Sequence, residues 1–165
     1  AGASCMASKF DVVMTSMPFA GSLYNPDQWD GYTASRTRAL DQMAAGGVDN
    51  AVVLTGDIHA AGVADLVDEN PDGTSSTQAR GTELVGGSIS STFPAELADI
   101  AEQLIMQLPH VRFADTHRRG YMICDLTQTE LVTRYQVAES TLVPESPVTT
   151  AASWTTVAGT PGVQP

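Results

Sequence analysis

Residues 50–57, which read NAVVLTGD, constrain the fold of this chain more than any other stretch. The apolar run AVVL has no polar alternation, contains two β-branched residues, and is bounded by residues that favour turns. A short continuous run of this kind is typical of a central strand whose two faces are both covered. The run therefore predicts a buried strand within a layered fold, followed by a loop that begins at Gly56.

Two further segments have the end signals or the periodicity of helices. Residues 33–47, TASRTRALDQMAAGG, begin with Thr33 as an N-cap and end at two glycines, which predicts a short helix. Residues 93–108 carry the clearer pattern, with one apolar and one polar face. The apolar face of this second helix consists of Leu97, Ile100, Ala101, Leu104 and Leu108.

The other segments predict strands and one irregular tail. Residues 138–165 lack periodicity, so we expect an extended arm lying over a domain formed by residues 1–137. A strand, a helix and a strand followed by antiparallel strands predict a mixed α/β fold. The predicted strands cover residues 10–16, 60–67 and 81–91, and residues 111–137 predict a strand and then a hairpin that turns near TQT.

Composition narrows the classes of function. The chain has 165 residues, enough for one domain, and a formal net charge of −11 from 8 basic and 19 acidic residues. Such a surface repels phosphates of nucleic acids, which excludes nucleic acid as an expected partner. No apolar run reaches the roughly 18 residues of a transmembrane span. The single lysine, the many small residues and the lack of an initiator methionine favour a secreted, processed chain or a fragment.

Asp57 and His59 follow the central strand and are two residues apart. If strand geometry continues into the loop, their side chains project to the same side and are able to share a metal ion. A carboxylate oxygen and an imidazole nitrogen suit iron, manganese or zinc, with a harder cation nearby. Two ligands are too few for a transition-metal site. A structural interpretation also fits, in which Asp57 caps a turn and His59 binds a backbone carbonyl.

The loop NPDQWDGYTASR is the second candidate region. Trp29 and Tyr32 lie beside acidic residues on a segment rich in glycine and proline, where they could line a substrate pocket. Arg36, in the first turn of the predicted helix, could bind a phosphate oxygen through its planar guanidinium. The structural alternative is a loop held by buried aromatic side chains, with Arg36 paired to Asp30.

Other polar motifs favour structural roles. His110 follows a proline at a helix end, where the helix dipole favours an imidazolium. The cluster of residues 117–119, HRR, either faces an anion or pairs with surface acids, and we favour pairing. DENPDG resembles the start of a calcium loop, but Ala79 occupies the position that requires a glutamate, so a hairpin turn is predicted. GGSISS lacks the Gly-x-Ser-x-Gly pattern of a nucleophile elbow.

The two cysteines leave the redox compartment open. Cys5 and Cys124 are able to pair with each other, to bond to another chain, or to stay free. Cys124 lies in the alternating run GYMICDLT, which favours a buried structural thiol.

Five stretches together resemble one known family. They are FDVVMTSMPF, DQWDGYTASR, NAVVLTGDIHAAGVADL, GTELVGGSISS and PHVRFADTHRRGYMICDLT, in this order. The same order is typical of PhoD-like metallophosphatases, which include alkaline phosphatase D and actinobacterial metal-dependent phospholipases D. The resemblance extends over residues 10–137, and its most specific motifs are WDGY-x3-R, GDIH and RRGY. It corresponds only to the C-terminal part of the family's catalytic domain.

The resemblance implies a calcineurin-like core of two packed mixed β-sheets flanked by helices. It also implies that Asp57 and His59, in the last metal motif of the family, are metal ligands of the catalytic centre. Family sites hold iron together with calcium, and a hydroxide generated there attacks phosphorus. The remaining family ligands have no counterpart in this chain. Ser16 replaces the glutamine that is usual after the first strand, which leaves the pocket in that loop undefined.

These implications lead to an expected function. We expect a phosphoric ester hydrolase, specifically a phosphodiesterase of the phospholipase D type, acting on phosphate esters or phospholipids. The alternatives are an alkaline phosphomonoesterase and an inactive binding fragment. Because only the last metal motif is present, activity is expected only together with a larger N-terminal fragment of the same protein.

Overall fold

The computed structural model describes residues 4–7, 29–69 and 75–165. The predicted strand at residues 10–16 and Ser16 lie outside this part of the chain. In chain order the elements are β1 (Ser4–Ala7), a short 3-10 helix (Trp29–Tyr32), α1 (Thr33–Ala45), β2 (Ala51–Thr55), β3 (Ala61–Glu69), β4 (Ser75–Val85), α2 (Ala95–Ile105), β5 (Val111–Asp115), β6 (Gly120–Leu126), β7 (Glu130–Ala138) and β8 (Val148–Val157).

The strands form two sheets. The first has the order β1-β2-β4-β3-β5, and the second has the order β6-β7-β8. In the first sheet β1, β2 and β4 are parallel, whereas β3 is antiparallel to both of its neighbours. All pairs in the second sheet are antiparallel. The expected α/β fold with two sheets is therefore confirmed, but only the first sheet is mixed, because the described strands of the second sheet are all antiparallel.

Strand β2 is buried on both faces, as its unbroken apolar run predicts. On one face Val52 belongs to a core cluster with Val63, Leu84 and residues of β7. On the other face Val53 packs with Leu40 of α1 and with Leu66. Burial of each valine contributes on the order of 1.5–3 kcal/mol. The first sheet is thus the middle layer, with the second sheet on one side and α1 on the other.

Helix α1 has the predicted extent, but Thr33 is its first residue rather than its cap. Tyr32 takes the cap position and makes no side-chain hydrogen bond to the helix start. At the other end, the amide of Gly46 donates to the carbonyl of Gln42 over 2.9 Å. Gly47 then adopts a φ of 76°, a conformation that glycine tolerates and that ends helices. No helix in the described ranges is long and apolar enough to cross a membrane.

The apolar stripe predicted for helix α2 is confirmed in part. Ala101 and Leu108 of the stripe are buried, and Leu97 and Leu104 are half-buried. Ile100 is 56% exposed, whereas Ala98, which is not part of the stripe, is buried. The hydroxyl of Thr116, just after β5, donates to the carbonyl of Ala98 over 3.1 Å. The backbone amide of Thr116 donates to a carboxylate oxygen of Glu102 over 3.0 Å. These contacts draw the helix close to β5, so the small side chains face inward and the prediction for Ile100 is wrong.

Residues 138–165 contain a regular strand where an irregular arm was expected. Within them β8 pairs along β7 as an outer strand of the second sheet. Beyond β8, Val163 is buried in the core cluster, and its amide donates to the Asp65 carboxylate over 2.9 Å. Most of β8 is exposed or half-buried. An outer strand with only one covered face needs few apolar residues. The sequence of β8 therefore lacks the apolar periodicity that predicts a strand.

The RRGY motif has a packing explanation. Arg118 pairs with Asp115 over 2.6 Å, and Gly120 begins β6 beside β7. A β-carbon at Gly120 would collide with the backbone carbonyl oxygen of Gln136. Because this obstacle is backbone within a paired sheet, it cannot swing aside as a flexible side chain would. Glycine is therefore required where the chain crosses into the second sheet.

We expect Gly120→Ala to lower the free energy of unfolding by about 3 kcal/mol, the upper range for overpacking in a close-packed region. Gly62→Ala is the matched control at the start of another strand, where the added carbon would meet its nearest atom at 3.5 Å, an ordinary contact. Chemical denaturation of both variants measures the difference. Equal stability of the two variants would contradict this explanation of the motif.

Candidate metal centre

Two loops meet at one edge of the first sheet. Because β1, β2 and β4 are parallel, their carboxyl ends lie along the same edge, where open α/β sheets commonly bind ligands. Residues 56–60 leave β2 at this edge, and residues 86–94 leave β4 beside them. The amide of Gly86 donates to the carbonyl of Thr55 over 2.8 Å, which ties the two loop starts together.

Asp57 and His59 both have left-handed backbone conformations. Their φ angles are 70° and 59°, and Glu145 is the third non-glycine residue with positive φ in the described part of the chain. Such a conformation costs of the order of 1–3 kcal/mol per residue and is concentrated at functional sites. Aspartate and histidine adopt it more readily than most residues. The turn therefore holds an acid and an imidazole in strained conformations at the ligand-binding edge of the sheet.

The His59 ring is oriented by the neighbouring loop. Its Nδ1 lies 3.3 Å from the carbonyl oxygen of Thr92, and the side chain is half-buried. Because a carbonyl only accepts, Nδ1 carries the proton in this contact and donates it. In the neutral ring, this contact leaves the other nitrogen, Nε2, as the one able to bind a metal ion. A backbone carbonyl behind a histidine is a common way to set this tautomer.

Ile58 anchors the turn between the two polar residues. It is half-buried and lines a small apolar cavity of about 40 Å³ together with Ile105 of α2 and Phe113 of β5. Asp57, by contrast, is exposed. The middle residue of the Asp-Ile-His sequence thus lies against apolar side chains, and the acid before it remains accessible from solvent.

The donor set fits a metal ion but does not complete a site. Asp57 offers an accessible carboxylate, and the tautomer of His59 leaves a nitrogen free to coordinate. Within residues 4–7, 29–69 and 75–165, no three His, Cys, Asp or Glu residues are grouped so that they could hold a metal ion. A transition-metal centre at this edge therefore requires ligands from outside the described residues.

Trp29 packs into the core beside α1. It lies against the cluster of Leu40, Val53 and Leu66 and is half-buried. Its indole nitrogen is buried and has no acceptor among the described residues. Tyr32 is 54% exposed. The contacts of Trp29 match the structural alternative for this loop, whereas Tyr32 presents its ring to solvent.

Arg36 lies away from the Asp57–His59 turn. It is 3% exposed, and its guanidinium donates to the carbonyl of Val67 over 2.9 Å. Val67 is five residues along β3 from Gly62, about 16 Å at 3.3 Å per residue. A contact between Arg36 and a phosphate oxygen stays a prediction. The side chain of Asp30, its suggested partner, is outside the described residues.

The other polar motifs have structural contacts. His117 pairs with Asp99 over 3.1 Å, and Arg118 pairs with Asp115. Pairing with acids is thereby confirmed for His117 and Arg118, whereas the guanidinium of Arg119 donates to the backbone carbonyls of those two residues. Residues 70–74 of DENPDG lie outside the described ranges, but the flanking strands β3 and β4 are antiparallel, as a hairpin requires. The carbonyl of the buried His110 accepts from the amide of Asp65 over 2.8 Å.

Cys124 is a half-buried free thiol. Its sulfur lies 3.6 Å from the hydroxyl oxygen of Thr133 on the neighbouring strand. This placement within the sheet agrees with the predicted structural thiol. The side chain of Cys5 lies outside what the structure describes.

Sequence reasoning missed the loop that follows β4. GGSISS forms the end of the predicted strand over residues 81–91, but β4 ends at Val85 and this prediction is wrong. The structure instead places residues 86–94 in a loop beside His59, which contacts the Thr92 carbonyl. The available signal was the run of small residues after Val85. A run of this kind lets two loops approach closely, but the partner of a backbone carbonyl cannot be read from side-chain identity.

We expect Trp29→Ala to lower the free energy of unfolding by about 2–3 kcal/mol, somewhat below the usual loss for a fully buried tryptophan because the ring is half-buried. Tyr32→Ala, which removes an exposed ring from the same segment, is the control and should change stability by less than about 0.5 kcal/mol. Thermal or chemical denaturation distinguishes them. A larger loss in Tyr32→Ala would contradict the packing role of Trp29.

Comparison with known proteins identifies the family. The model of the PhoD-like phosphatase family matches residues 2–135. Alkaline phosphatase D of Bacillus subtilis (strain 168) is 34% identical over 137 residues, which are 82% of this chain and 23% of that protein. The solved structure described as "Structure of PhoD" superposes with a TM-score of 0.77 at 29% identity, covering 97% of this chain and 30% of that chain. This chain thus spans less than a third of either relative, and it belongs to the PhoD-like phosphatase family.

Proposed function

We propose that Asp57 and His59 are two ligands of the metal centre of a phosphoric ester hydrolase. The observation that carries the proposal is their pair of left-handed conformations at the edge where three parallel strands end. Strain of this kind persists only where the surrounding structure enforces it, and it is concentrated at functional sites. Membership of the PhoD-like phosphatase family supports the reaction class.

Each ligand has a distinct task at this centre. The Asp57 carboxylate supplies a hard, negatively charged oxygen, and the oriented His59 ring supplies a borderline nitrogen. A bound metal ion polarises a phosphoryl oxygen and makes hydroxide available near neutral pH. The Thr92 carbonyl accepts from Nδ1 of His59, which directs Nε2 of the neutral ring toward the metal ion. The residues of this chain thereby hold and orient the centre.

The donor types also guide the choice of metal. We propose iron together with calcium, as the family resemblance implies. A carboxylate and an imidazole would also accept zinc or manganese, because these ions bind mixed oxygen and nitrogen sites. Metal analysis of the purified protein, combined with reconstitution of the metal-free form, distinguishes the choices.

The ester preference is the second part of the proposal. We propose a secreted phosphodiesterase of the phospholipase D type with a calcineurin-like core. The alternative is a phosphomonoesterase, which the name of the B. subtilis relative, alkaline phosphatase D, favours. Rates on a simple monoester, a simple diester and phosphatidylcholine, measured side by side, separate the two. The same rates measured in Tyr32→Ala test whether Tyr32 contributes to a pocket.

We further propose that the upstream part of the same protein completes the centre. Two ligands are fewer than the three or more that transition-metal sites use, and the described residues contain no larger cluster. The chain also spans only 23% of the length of the B. subtilis relative. The upstream part would supply the missing ligands and cover the open edge of the sheet. A rival possibility is a binding fragment that lacks activity.

We expect Asp57→Asn and His59→Ala each to reduce phosphoesterase activity at least about 100-fold and to reduce bound metal, because each removes one ligand. The melting temperature should stay near that of the parent protein, since Asp57 is exposed. His117→Ala is the control, as this imidazole pairs with Asp99 at the surface. Activity and metal content are measured on the same preparations. Parental turnover in either ligand variant would refute the assignment.

We expect the 165-residue chain alone to be inactive and to regain activity when it is produced together with the upstream part of its protein. The reason is the incomplete ligand set rather than a defect in Asp57 or His59. Co-purification, metal content and ester hydrolysis are measured for the chain alone and for the pair. Full metal-dependent hydrolysis by the isolated chain would overturn the proposal of a shared centre.

A further inference from the structure

The first end of the Asp57–His59 turn is anchored by a buried pair of polar side chains. The hydroxyl of Thr55, the last residue of β2, donates to a carboxylate oxygen of Glu83 over 3.0 Å. Thr55 is 9% exposed and Glu83 is fully buried. Their strands are parallel neighbours, with Thr55 opposite Val85. Thr55, whose side chain immediately precedes the strained turn, is thus held by the neighbouring strand β4.

The second end of the turn is anchored from the opposite layer. The hydroxyl of Tyr135, on β7, donates to the carbonyl of Gly62 over 2.7 Å. Gly62 is the second residue of β3. Burial, followed by the nearby Cys124 and Glu83, raises the pKa of the Tyr135 hydroxyl. The phenol therefore stays protonated and remains a donor. Its ring packs against Phe113 at a centroid distance of 5.3 Å, which fixes its orientation.

These two hydrogen bonds enclose the six residues between Thr55 and Gly62. Inside this interval lie both left-handed residues, Asp57 and His59. The backbone bond from Gly86 to the carbonyl of Thr55 adds a third constraint on the first end. Strained conformations relax unless neighbouring structure holds them. The anchors are therefore placed where they can oppose relaxation of the turn.

We propose that Thr55 and Tyr135 are positioning residues that hold the Asp57–His59 turn in its metal-binding conformation. The claim that the held conformation binds a metal ion rests on the proposed function. The claim that the two residues restrain the turn rests on the two hydrogen bonds alone. Neither hydroxyl is assigned contact with a metal ion or a substrate, so both residues act through the backbone of the turn.

The alternative is that the two hydroxyls only stabilise the fold. A buried hydroxyl with a hydrogen-bond partner contributes about 1 kcal/mol to stability. Under this alternative, any such pair in the core would stabilise the fold equally well. The position of the pairs distinguishes the two roles. Both bonds end on the residues that flank one strained turn. Thr133 is equally buried, but it lies elsewhere on β7, where its hydroxyl contacts the Cys124 sulfur over 3.6 Å. Thr133 is therefore the matched control.

The first experiment measures metal binding by the complete protein, with Mn²⁺ as the probe and electron paramagnetic resonance of the free ion as the readout. Thr55→Val and Tyr135→Phe each remove one hydroxyl and keep the shape of the side chain. We expect both to weaken Mn²⁺ binding about 10- to 100-fold. Thr55→Ser restores the hydroxyl and should bind as the parent does. Thr133→Val should bind Mn²⁺ as the parent does, even if its melting temperature falls by as much as that of Thr55→Val.

Parental Mn²⁺ affinity in both Thr55→Val and Tyr135→Phe would overturn the positioning role while leaving the metal centre intact. An equal loss of Mn²⁺ affinity in Thr133→Val would also overturn the positioning role, because a general loss of stability would then explain the weaker binding. If the parent protein itself bound no Mn²⁺, Zn²⁺ or Fe²⁺, the proposed function would fail instead. The two failures are thereby distinguishable.

The second experiment needs no metal. Amide hydrogen exchange of residues 56–62, followed by mass spectrometry, reports how firmly the turn is held. We expect Thr55→Val and Tyr135→Phe to accelerate exchange in this segment several-fold, relative to β7 and β8, whereas Thr133→Val leaves it unchanged. Exchange of residues 56–62 at the parental rate in both variants would contradict the inference.

Discussion

The side chains of Val52 and Val53 are buried on opposite faces of β2. The rest of the structure depends on this double burial. One face requires the second sheet, whose Leu131 and Tyr135 belong to the same cluster as Val52. The other face requires α1, whose Leu40 packs with Val53. Because described residues of the second sheet and of α1 cover the two faces, β2 is held in place along its length. The loop that leaves the end of β2 is consequently held between fixed layers.

The candidate centre follows from that arrangement. Three parallel strands end at one edge, so the turn after β2 and the loop after β4 lie side by side. The turn carries strain at Asp57 and His59, while the loop orients His59 through Thr92. A rigid layered core is suited to this task, because geometry at a metal centre must be maintained before the ligand arrives. Burial at the centre of the sheet thus supports chemistry at its edge.

Local sequence was sufficient to predict elements with strong hydrophobic or turn patterns. It was insufficient for elements whose orientation or pairing depends on distant residues. The apolar run of β2 and the hairpin around residues 127–129 were predictable because burial and turn chemistry act over a few residues. The burial of Ala98 and the exposure of Ile100 in α2 were not predictable, since Thr116 holds the helix through the carbonyl of Ala98. Strand β8 was also missed, because an outer strand with one covered face needs little apolar periodicity.

The amino-acid sequence by itself determined which groups are available for chemistry: an acid and an imidazole two residues apart after a buried strand. It also carried the family resemblance, through short motifs that survive as residue types. Only the tertiary structure decided how these groups are used. It placed Arg36 against Val67 on the far part of β3 and brought Thr92 to His59. Tyr135 reached Gly62 from the other sheet. The reason is physical: each of these contacts joins a side chain to a backbone carbonyl more than thirty residues away, and backbone acceptors look alike at every position of a sequence.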